Sequence, residues 1–250
     1  MTSTLSHKAS IISIEGNIGS GKSTLMAELR RAFAGLPHVV FLQEPVDDWN
    51  TVRDEDGRTM LEKFYGNQER YSFSFQMMAY ISRLATIRAA TRANPECVFI
   101  SERCLHTDKY VFAKMLYDDN KIESVDYQIY NKWFDTFIDD FEVTNLVYIK
   151  ATAEMCLERV TKRGRDGEGG IPLAYLQACG DYHNNMMKEM MDCDVHVLDG
   201  NVNITTCPEI IDNWVYRIRH IVEQVAAKIQ GVRTSSPSGS DSDSFKSKID

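Results

Sequence analysis

The sequence predicts an α/β domain of three layers, in which a five-stranded parallel sheet is covered by helices on both faces. Short β-branched apolar runs alternate along the chain with longer stretches of helical periodicity. The runs are apolar on both faces, as expected for parallel strands buried between two layers of helices. The predicted strands are Ile11–Glu15, Val39–Gln43, Val98–Ser101, Leu146–Lys150 and Val195–Leu198.

Composition limits the class of protein. The chain has 250 residues, of which 43% are hydrophobic, so it is long enough to bury one full core. Its 28 Lys and Arg against 36 Asp and Glu give a net charge of −8, so it has no global cationic field for binding nucleic acid or an anionic membrane surface. No apolar run approaches the ~20 residues of a membrane-spanning helix. We therefore expect neither a nucleic-acid partner nor a membrane.

Cysteine spacing and the first residues bear on the compartment. The six cysteines are Cys97, Cys104, Cys156, Cys179, Cys193 and Cys207. They form no C-x-x-C pair and no zinc-ligand spacing, so we interpret them as reduced thiols. The chain begins with neither an apolar signal core nor an Arg-rich transit peptide. The expected location is cytoplasmic, and it is mitochondrial if a presequence has been removed.

A glycine-rich loop follows the first predicted strand. It consists of Gly16, Asn17, Ile18, Gly19, Ser20, Gly21, Lys22, Ser23 and Thr24, matching G-x-x-x-x-G-K-[ST]. The glycines let backbone N–H groups turn toward a phosphate, and the next helix adds its positive N-terminus. That helix has Leu25, Leu29 and Phe33 at four-residue spacing. Lys22 is predicted to reach the β/γ-phosphates and Ser23 to hold magnesium.

The loop alone does not determine what is done with the nucleotide. GTPases, motors, helicases and small-molecule kinases share it. A GTPase needs a guanine-reading N-K-x-D, and the stretch 131–134 reads N-K-W-F. We therefore set the GTPase aside.

Carboxylates and an arginine follow the second and third predicted strands. Glu44 ends the second strand and begins the stretch E-P-V-D-D-W, which closes at Trp49. The third strand ends in Glu102 and Arg103, with Asp108 about one helical turn further along. Open α/β sheets bind ligands at the carboxyl ends of their strands, so we expect a site at this edge.

Two further polar sets lie on predicted helices. Gln76 and Arg83 are seven residues apart, which is nearly two turns, so they share one helix face. Arg159 and Arg163 are spaced i, i+4 on a later helix, and Arg165 follows Gly164. These three guanidinium groups lie in one short stretch of the sequence.

The domain boundaries follow from the two ends of the chain. The last helix is predicted to begin at Pro208, a favoured first-turn residue, and to carry apolar residues through Val225. From residue 231 the composition becomes rich in Ser and Gly and too polar to pack. We predict a flexible N-terminus over residues 1–9, one domain over 10–230 and a disordered tail over 231–250.

The chain resembles the deoxyribonucleoside kinase family, which contains deoxycytidine, deoxyguanosine and mitochondrial thymidine kinases and the insect multisubstrate enzyme. The matching elements are G-N-I-G-S-G-K-S-T, E-P-V-x-x-W, E-R-x-S-F-x-F-Q, E-R-C-x-x-x-D and R-G-R-D-G-E-G-G-I-P-L-x-Y-L, over residues 10 to 200. The resemblance implies a P-loop kinase fold, a homodimer, and transfer of the ATP γ-phosphate to the 5′-hydroxyl of a deoxyribonucleoside with Mg²⁺. This is a salvage reaction that supplies DNA precursors.

The resemblance also implies catalytic roles. Glu44 matches the general base for the 5′-hydroxyl, and Arg103 lies beside it, keeping the carboxylate ionised. Glu102 matches the magnesium-side carboxylate, with Ser23 as the other protein contact. Arg159, Arg163 and Arg165 fall on a mobile lid at about residues 159–171. Closure of the lid would bring positive charge onto the transferring phosphoryl group.

Substrate recognition is implied in the same way. Gln76 matches the amide that pairs with the base edge, and Tyr65 and Glu168 match the residues that bind the sugar 3′-hydroxyl. The walls of the base site are Trp49, Phe64, Phe75 and Phe112. In thymidine-preferring relatives the position of Asp108 is small and apolar, whereas an acid there pairs with Arg83 as in the deoxycytidine and deoxyguanosine kinases. We expect deoxyadenosine, deoxyguanosine or deoxycytidine to be preferred over thymidine.

Two alternatives remain beside this prediction. A thymidylate-type nucleoside monophosphate kinase shares the fold and the lid, but commonly has an arginine just before Glu-Pro, where this chain has Gln43. A catalytically silent nucleotide-binding subunit of a heteromeric kinase is the other. The presence of Lys22, Glu44, Arg103 and the lid arginines argues against silence.

Overall fold

The computed structural model describes residues 9–165, 168–190, 192–203 and 206–234. Within these ranges five strands form one sheet in the order β2-β3-β1-β4-β5, and every neighbouring pair is parallel. The strands are β1 Ala9–Gly16, β2 Val39–Leu42, β3 Val98–Glu102, β4 Phe141–Lys150 and β5 Asp194–Asp199. The predicted fold class is confirmed.

Helices connect the strands and cover both faces of the sheet. They are α1 Lys22–Ala32, α2 Val46–Trp49, α3 Met60–Gly66, α4 Gln68–Ala93, α5 Leu105–Thr107, α6 Lys114–Asp118, α7 Ser124–Phe137, α8 Ala153–Arg163, α9 Leu173–Glu189 and α10 Pro208–Thr234. A π-helical turn, Asp108–Ala113, joins α5 to α6, and a 3₁₀ turn, Ile138–Asp140, precedes β4. No described helix is both long and apolar enough to cross a bilayer. The expected cytoplasmic location stays a prediction.

The alternation of side chains along β1 assigns the two helix layers. Ile12 and Ile14 point to one face and pack in a core with α1 and α10. Ile11 points to the other face and packs with side chains of α4 and α7. Since successive residues of a strand face opposite sides, Ser13 and Glu15 lie on the same side as Ile11. The two covered faces explain why β1 and β3 are buried along nearly their whole length.

Two predicted boundaries are corrected by the structure. Strand β4 begins at Phe141, five residues before the predicted start. Its first half alternates buried and more exposed residues, with Glu142 and Thr144 interrupting the apolar run that sequence reasoning used. Helix α10 continues to Thr234, so the tail does not begin at residue 231. One glycine at position 231 costs a helix only about 1 kcal/mol, which is too little to end it.

The remaining predictions on the two ends stay untested. Residues 1–8 and 235–250, which carry most of the predicted flexible N-terminus and tail, lie outside the described residues.

All six cysteines are described, and each is a free thiol.

Candidate active site

A cleft opens at the carboxyl ends of β1, β2 and β3, where the sequence places its polar residues. Its volume is about 710 Å³, including the space open to solvent at its mouth. The predicted site residues that line it are Ile18, Gly19, Lys22, Ser23, Glu44, Trp49, Phe64, Tyr65, Phe75, Gln76, Glu102, Arg103, Asp108, Phe112, Arg163, Arg165 and Glu168. The topology therefore brings together groups that lie up to 150 residues apart in the chain, from Ile18 to Glu168.

The loop between β1 and α1 has the backbone of a phosphate cradle. Gly16 and Gly19 have φ of +147° and +80°, a region that L-side chains rarely adopt. A Cβ on Gly19 would lie 2.5 Å from the carbonyl oxygen of Cys156. Asn17 fixes the loop from within, because its Nδ2 donates to the Leu176 carbonyl at 2.7 Å and its Oδ1 accepts from the Ile18 N–H at 2.8 Å. The loop is thereby anchored to α9.

Lys22 lies buried under this loop. Its Nζ donates to the carbonyl oxygen of Asn17 at 2.8 Å. Burial, followed by the positive charge of Arg103, lowers the pKa of Lys22 to about 8. A triphosphate bound beside this ammonium would add negative charge and favour its charged form.

Glu44 follows β2 and lies between two arginines. Its Oε1 accepts from Arg83 Nη2 and from Arg103 Nε, each at 3.1 Å. Burial alone favours the neutral acid, but the Arg103 and Arg83 charges outweigh it and lower the pKa of Glu44 to about 2. Neither arginine bond uses Oε2. An ionised carboxylate with one oxygen free of these bonds thus lines the cleft.

Arg103 connects Glu44 to the phosphate loop. Its Nη1 donates to the Gly16 carbonyl at 3.0 Å, and its guanidinium lies 5.0 Å from the ring centre of Phe112. Its own φ is +65°, an uncommon value for a residue with a side chain. Strained backbone of this kind concentrates at functional sites, and here it directs the guanidinium into the cleft.

Arg83 and Asp108 form a buried ion pair. Arg83 Nε donates to Asp108 Oδ2 at 2.8 Å, and the two side chains are 3% and 4% exposed. Arg83 Nη1 also donates to the Glu102 carbonyl at 2.7 Å. Burial raises the pKa of Asp108, while the charge of Arg83 acts against this. The pairing expected between these residues is present.

An apolar slot lies beside Gln76. The Phe64 and Phe75 rings stack at 4.6 Å between centroids, and Trp49 meets Phe75 edge-on at 5.5 Å. Gln76 is 2% exposed and lines the cleft. An amide carries both donors and an acceptor, which suits the polar edge of a planar ligand.

The lid arginines divide into two groups. Arg163 and Arg165 both pair with Glu168, the latter at 3.2 Å, and all three line the cleft. Arg159 donates instead to the carbonyls of Ser20, Gly200 and Val202. Arg159 is therefore not among the lining residues of the cleft, but it contacts the phosphate loop through Ser20, and its catalytic role stays a prediction. Arg159 lies one helical turn before Arg163 on α8, and from there its guanidinium reaches the loop after β5. Lid residues 166 and 167 lie outside the described residues.

Ser23 and Glu102 meet at the base of the loop. Ser23 Oγ donates to Glu102 Oε1 at 2.7 Å. A hydroxyl and a carboxylate are hard oxygen ligands, and Mg²⁺ commonly takes one or two protein oxygens together with water and phosphate. The two residues present therefore fit a magnesium ion.

Sequence reasoning missed some residues of the cleft. Tyr175 of α9 lines it, with its ring 6.3 Å from that of Tyr65. Its signal was available, because it is the tyrosine of the I-P-L-x-Y-L motif. The other unassigned lining residues are Val46, Leu61 and Ala79. They are ordinary apolar residues whose place in the cleft depends on tertiary packing.

Comparison with known proteins finds one family. The family model described as deoxynucleoside kinase matches residues 12–223. The deoxycytidine kinase of Rattus norvegicus is 34% identical over 196 residues, covering 70% of this chain and 74% of the relative. The deoxycytidine kinase of Homo sapiens is 33% identical over 193 residues with the same coverage. The mitochondrial thymidine kinase 2 of Homo sapiens is 34% identical over 182 residues, covering 72% of this chain and 65% of the relative.

Proposed function

Because the chain belongs to the deoxynucleoside kinase family, we propose that it transfers the γ-phosphate of ATP to the 5′-hydroxyl of a deoxyribonucleoside, in salvage of DNA precursors. The observation that carries the proposal is the Glu44 carboxylate. It is ionised, it lines the same cleft as the phosphate loop, and its Oε2 is free of the arginine bonds. A hydroxyl in the cleft therefore has a proton acceptor beside the terminal phosphate.

The chemistry is an in-line displacement. The 5′-oxygen attacks the γ-phosphorus, the bond to the β–γ bridging oxygen breaks, and the hydroxyl proton passes to Glu44 Oε2. Arg103 holds Glu44 in place and keeps it ionised. Lys22, Arg163 and Arg165 supply positive charge to the phosphates. Magnesium, held by Ser23 and Glu102, would neutralise phosphate charge.

Turnover with purified protein tests the proposal. With ATP and Mg²⁺, we expect deoxynucleosides to be converted to 5′-monophosphates. If deoxynucleoside monophosphates are phosphorylated and deoxynucleosides are not, the enzyme is of the thymidylate-kinase type and the proposal fails. If the single chain phosphorylates neither, it is a silent subunit.

The buried Arg83–Asp108 pair supports a preference for deoxyadenosine, deoxyguanosine or deoxycytidine over thymidine. Asp108 lines the cleft together with Gln76, and its bond to Arg83 fixes the carboxyl group there. Replacing both residues, with Arg83→Met and Asp108→Ala, is expected to raise kcat/KM for thymidine relative to the other three. A panel of four deoxynucleosides measures this. An unchanged rank order would remove the specificity argument and leave the kinase assignment intact.

The lowered pKa of Lys22 predicts that ATP binding takes up protons. Near pH 8 about half of these side chains are neutral, and a bound triphosphate restores the charged form. We expect an uptake of roughly half a proton at pH 8, where the free triphosphate is already fully ionised. Calorimetric titration with ATP in buffers of different ionisation enthalpy measures it. Equal apparent enthalpies in all buffers at pH 8 would contradict this.

We also propose a homodimer formed through α4 and α7. Val125, Ile129 and Trp133 follow one face of α7 and are 40–57% exposed, and Ile81 of α4 is 47% exposed. The two helices are adjacent, since Tyr80 Oη donates to the Trp133 carbonyl at 3.2 Å. Four large apolar side chains on neighbouring helices form a patch that a second copy would cover.

Trp133→Glu is expected to convert the dimer to a monomer, because a charge would be buried in the apolar interface. Light scattering after size-exclusion chromatography measures the mass. Tyr216→Glu, on α10 and 72% exposed, is the matched control and should leave the dimer intact. A wild-type monomer at micromolar concentration would overturn the dimer proposal.

A further inference from the structure

Glu15 is a buried carboxylate that the mechanism above does not use. It is the residue before Gly16, its exposure is 0%, and no ion pair to it is found among the described residues. Its Oε1 accepts from Ser13 Oγ at 2.6 Å and from Thr107 Oγ1 at 2.7 Å. Its Oε2 has no hydrogen-bond partner within the same part of the chain. Two hydroxyl groups therefore donate to a carboxyl group whose burial without hydrogen bonds would be costly.

The two donors differ in what they connect. Ser13 is on the same strand as Glu15, so its bond joins no separate elements. Thr107 is 92 residues away in the chain, at the end of α5, and is itself 0% exposed. It directly precedes the π-helical turn that begins at Asp108. The Thr107 bond thus ties the strand entering the phosphate loop to the turn that lines the base site.

This bond closes a ring of contacts around the cleft. The ring runs through Glu15, Thr107, Asp108, Arg83, Glu44, Arg103 and Gly16. Every link is a peptide bond between neighbours or a hydrogen bond of 3.1 Å or less. The members include the proposed base, the specificity pair and the first glycine of the phosphate loop. Each of these groups is thereby fixed relative to the others.

We infer that Glu15 and Thr107 are positioning residues, which hold Asp108 and Phe112 in register with the phosphate loop. Both lining residues belong to the π-helical turn, four positions apart, so a shift of that turn moves both of them. The inference rests on the proposed function, since it treats the turn as part of the nucleoside site. Small displacements of substrate-positioning groups have large kinetic effects.

Thr107→Val tests the inference, because it removes the hydroxyl and keeps the size and branching of the side chain. We expect KM for the best deoxynucleoside to rise about 10-fold and its preference over thymidine to fall by a similar factor. KM for ATP should stay within about twofold, since the phosphate loop keeps its own hydrogen bonds. Thr107→Ser restores the donor and should restore the deoxynucleoside KM.

Ser13→Ala is the matched control, since it removes a donor to the same Oε1 without breaking a link between elements. Its deoxynucleoside KM should stay within about twofold of wild type. Three results overturn the inference: an unchanged deoxynucleoside KM in Thr107→Val, an equal rise in both KM values, or a Thr107→Ser variant as impaired as Thr107→Val. The last would assign the effect to packing and not to the hydrogen bond.

Two further outcomes have separate consequences: a Thr107→Val variant that does not fold, and a wild-type protein that phosphorylates no deoxynucleoside. If Thr107→Val does not fold, Thr107→Ala replaces it, because it also removes the hydroxyl donor; the same rise in the deoxynucleoside KM is expected, and no rise overturns the inference. If wild-type protein phosphorylates no deoxynucleoside, the proposed function fails, and the inference fails with it. Wild-type turnover with unchanged variants rejects the inference alone.

Discussion

Replacing Glu44 with glutamine is expected to lower kcat for deoxynucleoside phosphorylation by about 10²- to 10⁴-fold. The amide has nearly the same shape but does not accept the 5′-hydroxyl proton. Glu44 is also the negative group between Arg83 and Arg103, so the variant leaves these two cations facing a neutral amide. KM for ATP should change little, because the phosphate loop contacts in the free protein do not include Glu44.

Single-turnover assays with rapid quenching measure the chemical step directly. Asp48→Asn, an exposed carboxylate on α2 four residues from Glu44, is the matched control and should keep wild-type kcat within about twofold. Thermal melting of both variants reports whether the fold is intact. A folded Glu44→Gln enzyme with more than a third of wild-type kcat would show that Glu44 is not the proton acceptor.

Removing Arg83 alone is expected to destabilise the fold by about 3–5 kcal/mol. Arg83 is 3% exposed and makes hydrogen bonds to Asp108, Glu44 and the Glu102 carbonyl. Arg83→Met fills much of the same volume but leaves the Asp108 carboxylate buried without its partner. Adding Asp108→Ala removes that stranded group, so the double variant should be more stable than Arg83→Met.

Urea unfolding curves for wild type and the variants give these free energies. Arg92→Met, an exposed arginine on the same helix α4, is the control and should stay within about 0.5 kcal/mol of wild type. If Arg83→Met lies within 1 kcal/mol of wild type, the pair does not stabilise the fold. A double variant less stable than Arg83→Met would show that Asp108 is not stranded by the loss of Arg83.

The sequence predicted the sheet because parallel strands buried on both faces have a simple signature. Each predicted run overlaps an observed strand, and the fold class and family resemblance are confirmed. The start of a strand was predicted less accurately where buried and exposed residues alternate along it, as at Glu142 and Thr144 of β4. Prediction also failed where composition changes before the helix ends, as at the end of α10. The local sequence pattern therefore predicted which strands and helices exist better than it predicted the residues at which they begin and end.

The position of side chains at the cleft was predicted where it depends on a motif or on the end of a strand, while their functional roles stay predictions. The phosphate loop, Glu44 and the Arg83–Asp108 pair are examples, although the pair joins residues 25 positions apart. The hydrogen-bond partners of Arg159 were not predicted, because helical spacing gives a direction and not a partner. They are the carbonyl of Ser20 in the phosphate loop and those of Gly200 and Val202 in an unpatterned loop. Every residue has a peptide carbonyl, so the sequence does not indicate which carbonyls accept a hydrogen bond. Only the tertiary structure identifies these acceptors.

A crystal structure of the chain with ADP and a bound deoxynucleoside tests the account most directly, through the distance from the 5′-oxygen to the nearer Glu44 carboxylate oxygen. We expect a separation of about 2.6–3.2 Å, with the base against Gln76 and the 5′-oxygen facing the nucleotide phosphates. A well-ordered deoxynucleoside in the cleft with its 5′-oxygen more than about 5 Å from Glu44, or bound elsewhere, would contradict the account.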